Sequence, residues 1–311
     1  MASYLALHQS GELARRAEKA LEMLSPCQVC PRECGADRLG GEVGDCNTTR
    51  LARVSSANPH FGEEDVLVGR GGSGTVFFCG CNLNCDFCQN CEISQFPGGR
   101  EVDARRLAEI FLQVQKMGCH NLNTVTPTHV TPQILEALDI AAGKGLSLPW
   151  VYNCGGYESV ETLKLLDGVV DIYMPDFKFT NPDPAERFCR APDYPEIARA
   201  ALSEMHRQVG DLVTDDDGVA TRGLLVRHLV MPEDLAGSRE AARFLASLSK
   251  NTFVNVMAQY RPCHRADKHE QIRRPINSGE HEEAVEAMRA EGLTRLDGIG
   301  RRRARFLFIP R

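Results

Sequence analysis

The sequence predicts an α/β fold: a partial (β/α)6 barrel of the TIM type, with a small cysteine-rich metal-binding segment before it. Three observations predict it. From Thr75 onward, six β-prone apolar runs alternate with stretches of helical periodicity, a pattern that implies a parallel sheet with helices outside it. Six units are too few for the eight of a closed TIM barrel. Polar residues and glycines gather just past the ends of these runs, where a parallel barrel does its chemistry. Finally, Cys27, Cys30, Cys34 and Cys46 crowd a segment too short to have a core of its own.

The chain has 311 residues, 42% hydrophobic and 25% charged, the composition of an ordinary globular protein large enough for one sizeable core. Its net charge of -6 argues against nucleic acid as a partner. The short run Arg301-Arg302-Arg303 reads as a solvated face. No apolar run of membrane-spanning length and no signal-peptide core appear, so no membrane partner is expected and the expected location is cytoplasmic. Thirteen cysteines, an odd number in a reducing compartment, point to metal ligation rather than to a disulfide framework.

Residues 11–24 have helical spacing of Leu13, Ala17, Ala20, Leu21 and Leu24, and Pro26 ends the pattern. The four cysteines that follow, with Gly40, Gly41 and Gly44 between the third and the fourth, suit either a structural zinc or an auxiliary iron-sulfur cluster. Gly69-Arg70-Gly71-Gly72-Ser73-Gly74 spells G-x-G-x-x-G but precedes a strand instead of opening a helix, so it reads as an entry turn.

Beyond the first strand and its cysteine loop, a helix starts near Asp103 and carries Leu107, Ile110, Phe111, Val114 and Met117 on one face. A strand over 122–126 follows. Thr131 then caps a helix with Pro132 in its first turn. Strands over 148–154 and 169–174 flank a helix bearing Val160, Leu163 and Leu166, and helical sequence fills 184–209. Strands over 223–231 and 252–257 complete the six. Asp215-Asp216-Asp217-Gly218 and Gly237-Ser238 read as turns, and Ser278 as the cap of a last helix. Three regions are expected: a cap over 1–70, the barrel over 71–262 and a helical extension over 263–311. No role is assigned to 304–310.

The first strand runs from Thr75 into Cys79-Gly80-Cys81-Asn82-Leu83-Asn84-Cys85-Asp86-Phe87-Cys88. Cys81, Cys85 and Cys88 are spaced C-x3-C-x2-C. Three soft thiolates in so short a loop suit three corners of a 4Fe-4S cube and leave the fourth iron open to a small molecule. A ferredoxin register through Cys85, Cys88 and Cys91, or a zinc knuckle, competes with that reading; Cys79 and Cys91 are otherwise not ligands.

This loop resembles the signature of the radical S-adenosylmethionine (radical SAM) superfamily. Further phrases, Cys27-Gln-Val-Cys30-Pro-Arg-Glu-Cys34-Gly, Asn58-Pro-His-Phe-Gly62-Glu-Glu, Val125-Thr-Pro-Thr-His129, Asp171-Ile-Tyr-Met-Pro-Asp176-Phe-Lys178 and Arg227-His-Leu-Val-Met-Pro232, are similar to the branch described as pyruvate formate-lyase activating enzyme-like. The resemblance implies an oxidoreductase that reductively cleaves S-adenosylmethionine at a 4Fe-4S cluster held by Cys81, Cys85 and Cys88. A 5'-deoxyadenosyl radical would then take hydrogen from a protein, peptide or small molecule, a glycyl-radical enzyme among them. It also implies an electron donor such as flavodoxin or ferredoxin.

By the same resemblance Phe87 packs beside the adenine, Lys178 pairs with the methionine carboxylate, and Asp176 holds a ribose or a monovalent cation. Arg227 and Arg261 reach the cofactor from the fifth and sixth strands. Thr126-Pro127-Thr128-His129 stands where many members have Gly-Gly-Glu, so the Thr126 backbone or the Thr128 hydroxyl would receive the methionine amino group. His129 either donates to cofactor or substrate or holds the loop. The alternative function is a two-cluster iron-sulfur electron-transfer protein without substrate chemistry.

Overall fold

The computed structural model describes residues 2–96 and 98–297. Its strands are β1 (Ala52–His60), β2 (Ser73–Phe78), β3 (Arg100–Val102), β4 (Leu122–Val125), β5 (Trp150–Cys154), β6 (Ile172–Pro175), β7 (Val213–Thr214), β8 (Ala220–Leu229), β9 (Phe253–Met257) and β10 (Leu296–Asp297). They run in the order β10-β9-β8-β6-β5-β4-β2-β1-β3, with β7 beside β8. Every neighbouring pair from β2 to β10 is parallel. The six predicted strands are β2, β4, β5, β6, β8 and β9, and the path ends at β3 and β10, as an open barrel requires.

Four strands, β1, β3, β7 and β10, were not legible in the sequence. β1 pairs antiparallel with β2, and β3 pairs antiparallel with β1. Its residues, Ala-Arg-Val-Ser-Ser-Ala-Asn-Pro-His, carry little apolar periodicity and include Pro59, so propensity alone reads them as loop. The sheet therefore begins inside the segment assigned to the cap, and at its other edge takes β10 from the segment assigned to the extension. Arg301-Arg302-Arg303 and the stretch 304–310 lie outside the described residues.

Strand alternation sorts the core into two layers. Trp150, Tyr152 and Tyr173 pack outward with the helices. Val151, Ile172, Met174 and Leu225 form a separate cluster sealed by Leu67, whose side chain is fully buried. Leu67 belongs to a short helical turn, Asp65–Val68, and its carbonyl accepts from Asn121 Nδ2 at 2.9 Å, just before β4 begins. That turn plugs the N-terminal end of the barrel. Glu64, immediately before it, accepts from Asn255 Nδ2 on β9 at 2.7 Å and so ties the plug to the far side of the sheet.

The helices follow their apolar spacing, with local corrections. Helix Glu12–Glu22 buries Leu13, Ala17 and Ala20, and an unforeseen helix, Tyr4–Gln9, precedes it. In helix Ala104–Lys116 the Asp103 side chain accepts from the Arg106 amide at 2.8 Å and Leu107, Ile110, Phe111 and Val114 are buried. Met117 is not part of that face: it caps the helix and is exposed. A turn over Thr128–Val130 leads directly into helix Thr131–Ala142, so Val130 is the cap and Thr131 already lies within the helix, its hydroxyl donating to Pro127 O. Asn277 rather than Ser278 caps helix Ser278–Ala290, through a reciprocal capping box with Glu280. Gly237 is the left-handed residue that starts helix Ser238–Leu248. Among the described residues no helix is long and apolar enough to cross a membrane.

Candidate cluster and cofactor site

The loop after β2 turns at Gly80, where φ is +86°; a Cβ there would lie 2.3 Å from the Cys46 carbonyl oxygen and 3.0 Å from Thr48 Oγ1. Only glycine allows the N-terminal segment to press so closely on the loop. Beyond that turn, Cys81, Cys85 and Cys88 all line a cavity of about 350 Å³ at the C-terminal ends of the strands. Leu83 N donates to Cys81 Sγ at 3.3 Å, Cys88 Sγ contacts Ser94 Oγ at 3.1 Å, and Cys189 Sγ donates to Cys85 Sγ at 3.3 Å.

Burial pushes the Cys81 and Cys88 thiols up, whereas the Cys189 hydrogen bond, with the Lys178 charge behind it, brings Cys85 down. Cys79 and Cys91 do not line the cavity. Cys79 N pairs with Arg53 O on β1 and its sulfur lies against Gly99, on the far side of the strand end.

The same cavity is lined by a buried charge network. Asp176 Oδ1 accepts from Arg227 Nε at 2.7 Å and Oδ2 from Lys178 Nζ at 2.5 Å, while Arg227 Nη2 also donates to Asn153 Oδ1 at 2.6 Å. These groups sit on β5, β6 and β8 or just past them, inward-facing positions that the parallel register brings level. Burial opposes ionisation of Asp176, but Arg227 and Lys178 outweigh it and hold the carboxyl below the usual carboxylate range. Burial likewise works against the Lys178 ammonium, and Asp176 reverses the effect, so the group stays charged.

Phe87 lines the cavity and is fixed by aromatic neighbours, Phe179 at 5.9 Å edge-on and Tyr260 at 6.3 Å. Thr126 also lines it, at a left-handed φ of +58° that a β-branched residue rarely adopts. Such strain, held by its amide donating to Asn153 O, is what ligand-facing backbone often carries.

Two expected cofactor residues are elsewhere. Thr128 is buried and its hydroxyl donates to Glu158 Oε1 at 2.7 Å, which commits it to a network with Tyr152 away from the cavity. Arg261 is exposed and not on the cavity wall. Its neighbour Tyr260 turns inward to Phe87 and donates to Ile272 O, and Gln259 lines the cavity in its place. His129 holds the loop: it is buried, donates through Nε2 to Cys79 O at 2.9 Å, and burial brings its pKa down to about 4.

His60, Glu63, Phe77 and Asn153 line the cavity without having been singled out as site residues. His60 and Glu63 hydrogen-bond each other at 2.9 Å. Their signal in the sequence was the phrase Asn58–Glu64, whose place in space depends on β1, a strand that could not be read.

The N-terminal cysteines also gather. Cys27, Cys30 and Cys46 are buried and Cys34 is half-buried. A Cβ on Gly44 would lie 3.3 Å from Cys34 Sγ and 3.5 Å from Cys46 Sγ, so the glycine leaves a cradle between two thiols. Arg38, itself buried, donates to Cys27 Sγ at 3.7 Å, and burial pushes Cys30 up to about 12. Among the described residues no three Cys, His, Asp or Glu side chains converge on one ion position. A cube does not require that, since each of its thiolates takes a different iron. The all-sulfur donor set at the barrel mouth fits iron-sulfur ligation; the N-terminal set is all sulfur as well, the donor type that zinc and iron-sulfur clusters share, but its thiols would have to close further to grip a single zinc.

A family model described as the radical SAM superfamily matches residues 75–215. The chain is 33% identical over 279 residues to an uncharacterized protein of Methanocaldococcus jannaschii, covering 87% of this chain and 76% of that one. Among solved structures it is similar to a radical SAM methyltransferase from Sphaerobacter thermophilus (TM-score 0.46, 15% identity, 70% of this chain) and to HydG, a maturase of the [FeFe]-hydrogenase (TM-score 0.46, 14% identity, 70% of this chain). It spans 64% and 48% of those two chains. The superfamily's enzymes use a 4Fe-4S cluster and S-adenosylmethionine. From the matched domain, the extent of the shared sequence and the parallel sheet that carries the cysteine loop, the chain belongs to the radical SAM superfamily.

Proposed function

We propose that this protein reductively cleaves S-adenosylmethionine and uses the 5'-deoxyadenosyl radical to take hydrogen from a protein, peptide or small-molecule substrate, a glycyl-radical enzyme being one such target. The observation that carries it is the meeting of Cys81, Cys85 and Cys88 with Asp176, Lys178 and Arg227 around one cavity. When bound at the three thiols, the 4Fe-4S cluster supplies the electron that splits the sulfonium.

The chain's own groups bind and orient. Lys178, held charged by Asp176, pairs with the methionine carboxylate; Phe87 packs against the adenine; Asp176 faces the ribose or a cation; and Arg227 fixes Asp176 and Asn153 in place. The strained Thr126 backbone is left as the acceptor for the amino group, since Thr128 is occupied. The N-terminal thiols hold a second metal, zinc or an auxiliary iron-sulfur cluster, against the loop, and a flavodoxin- or ferredoxin-type donor supplies electrons.

Anaerobically reconstituted, dithionite-reduced protein incubated with S-adenosylmethionine should release 5'-deoxyadenosine, measured by chromatography. The Cys85→Ala variant should release none, while Cys79→Ala and Cys91→Ala should retain activity. Wild-type output no higher than that of Cys85→Ala would end the proposal.

A further inference from the structure

Cys189 is far from the C-x3-C-x2-C loop in sequence and against it in space. It ends helix Pro182–Cys189, is fully buried, and directs its Sγ at Cys85 Sγ, 3.3 Å away. That helix end is fastened to the loop at several points. Asp86 N donates to Phe188 O at 2.8 Å, and Arg190 Nη1 donates to Asn84 O at 2.8 Å. Arg32, from the N-terminal segment, donates to Asn82 O at 2.9 Å, to Cys189 O at 3.2 Å and to Arg190 O at 2.6 Å. The left-handed φ of +53° at Arg190 stops the helix where the thiol meets the loop. These bonds hold the cysteine in register with Cys85.

We infer that Cys189 is a positioning and tuning residue, its S–H donating to the Cys85 sulfur and raising the reduction potential of the cluster that sulfur binds. This rests on the proposed function only in requiring a cluster at Cys81, Cys85 and Cys88. Reduction adds negative charge that is shared with the ligand sulfurs, and a hydrogen bond to a sulfur stabilises that charge, one of the ways proteins set iron-sulfur potentials. A fourth-ligand role does not fit the geometry. Cys189 sits beside one ligand and is absent from the cavity wall, whereas an open corner must face the cavity. A cysteine that binds a metal does so as the thiolate and has no proton to give, so in this pair the Cys189 thiol is the donor.

The test compares the full-length wild type with Cys189→Ala and Cys189→Ser, each reconstituted anaerobically, by iron analysis and redox titration followed by electron paramagnetic resonance. All three are expected to bind the same iron. At the wild-type midpoint the reduced-to-oxidised ratio of Cys189→Ala should fall about tenfold, equal to 59 mV for one electron. Cys189→Ser, whose hydroxyl also donates, should stay within about threefold of wild type.

An alanine midpoint equal to wild type overturns the inference. If alanine takes up no iron, the serine variant decides: a midpoint at or above wild type supports a donor role, and a tenfold loss refutes it. Failure of the functional reading is visible separately, as wild-type protein whose reduced cluster yields no 5'-deoxyadenosine.

Discussion

Replacing Asp176 by asparagine keeps the shape of the side chain and removes its charge. In the wild type the carboxylate lies between Arg227 and Lys178, with side-chain exposures of 15%, 17% and 14%. Asparagine Oδ1 can still accept from Arg227, but its amide then points a donor at the Lys178 ammonium. Removing one partner of a buried ion pair costs about 3–5 kcal/mol, and the residual exposure here puts the loss near 3 kcal/mol. For a chain of this size about 2 °C of melting temperature accompanies each kcal/mol, so the midpoint should fall by about 6 °C at pH 7.

The pH dependence has a definite sign. Because the folded carboxyl lies below its ordinary value, its contribution is complete above about pH 4, where the unfolded group ionises, and fades as pH falls through the lower folded value. The gap between wild type and Asp176→Asn should therefore narrow on acidification. Anaerobic calorimetry of the metal-free proteins at several pH values reads both effects. Equal melting at pH 7, or a gap that widens in acid, would refute the account of the network.

Leu67→Ala opens the plug at the N-terminal end of the barrel and should cost about 3–4 kcal/mol in urea unfolding, transfer and cavity combined; a cost under about 1 kcal/mol would mean the plug is not packed as described. His129 titrates near pH 6.5 when unfolded and at about 4 when folded, so stability should be full above pH 6.5 and decline by about 3 kcal/mol as pH falls to 4. His129→Gln should flatten that part of the profile, and an unaltered acid slope in the variant would assign the loss to other groups.

Sequence alone determined the barrel core and the thiol loop, because both are written locally. Strand runs such as Trp150–Cys154 declare themselves by composition, and C-x3-C-x2-C closes on itself within eight residues, 81–88, needing no distant partner. The Asp176-Phe177-Lys178 phrase was legible for the same reason, two residues on one strand end. Tertiary structure alone decided what depends on register between distant segments. β1 is a strand only because β2 offers it a ladder, and with it come His60 and Glu63 on the cavity wall. Arg227 reaches Asp176 because two parallel strands align them, whereas Arg261 lies where the chain has left the sheet and turned outward. Cys189, 104 positions from Cys85, touches it only because a helix end is bolted to the loop by Arg32 and Arg190. Spacing in a motif fixes which atoms can meet locally; side chains from separate elements meet only where packing brings those elements together.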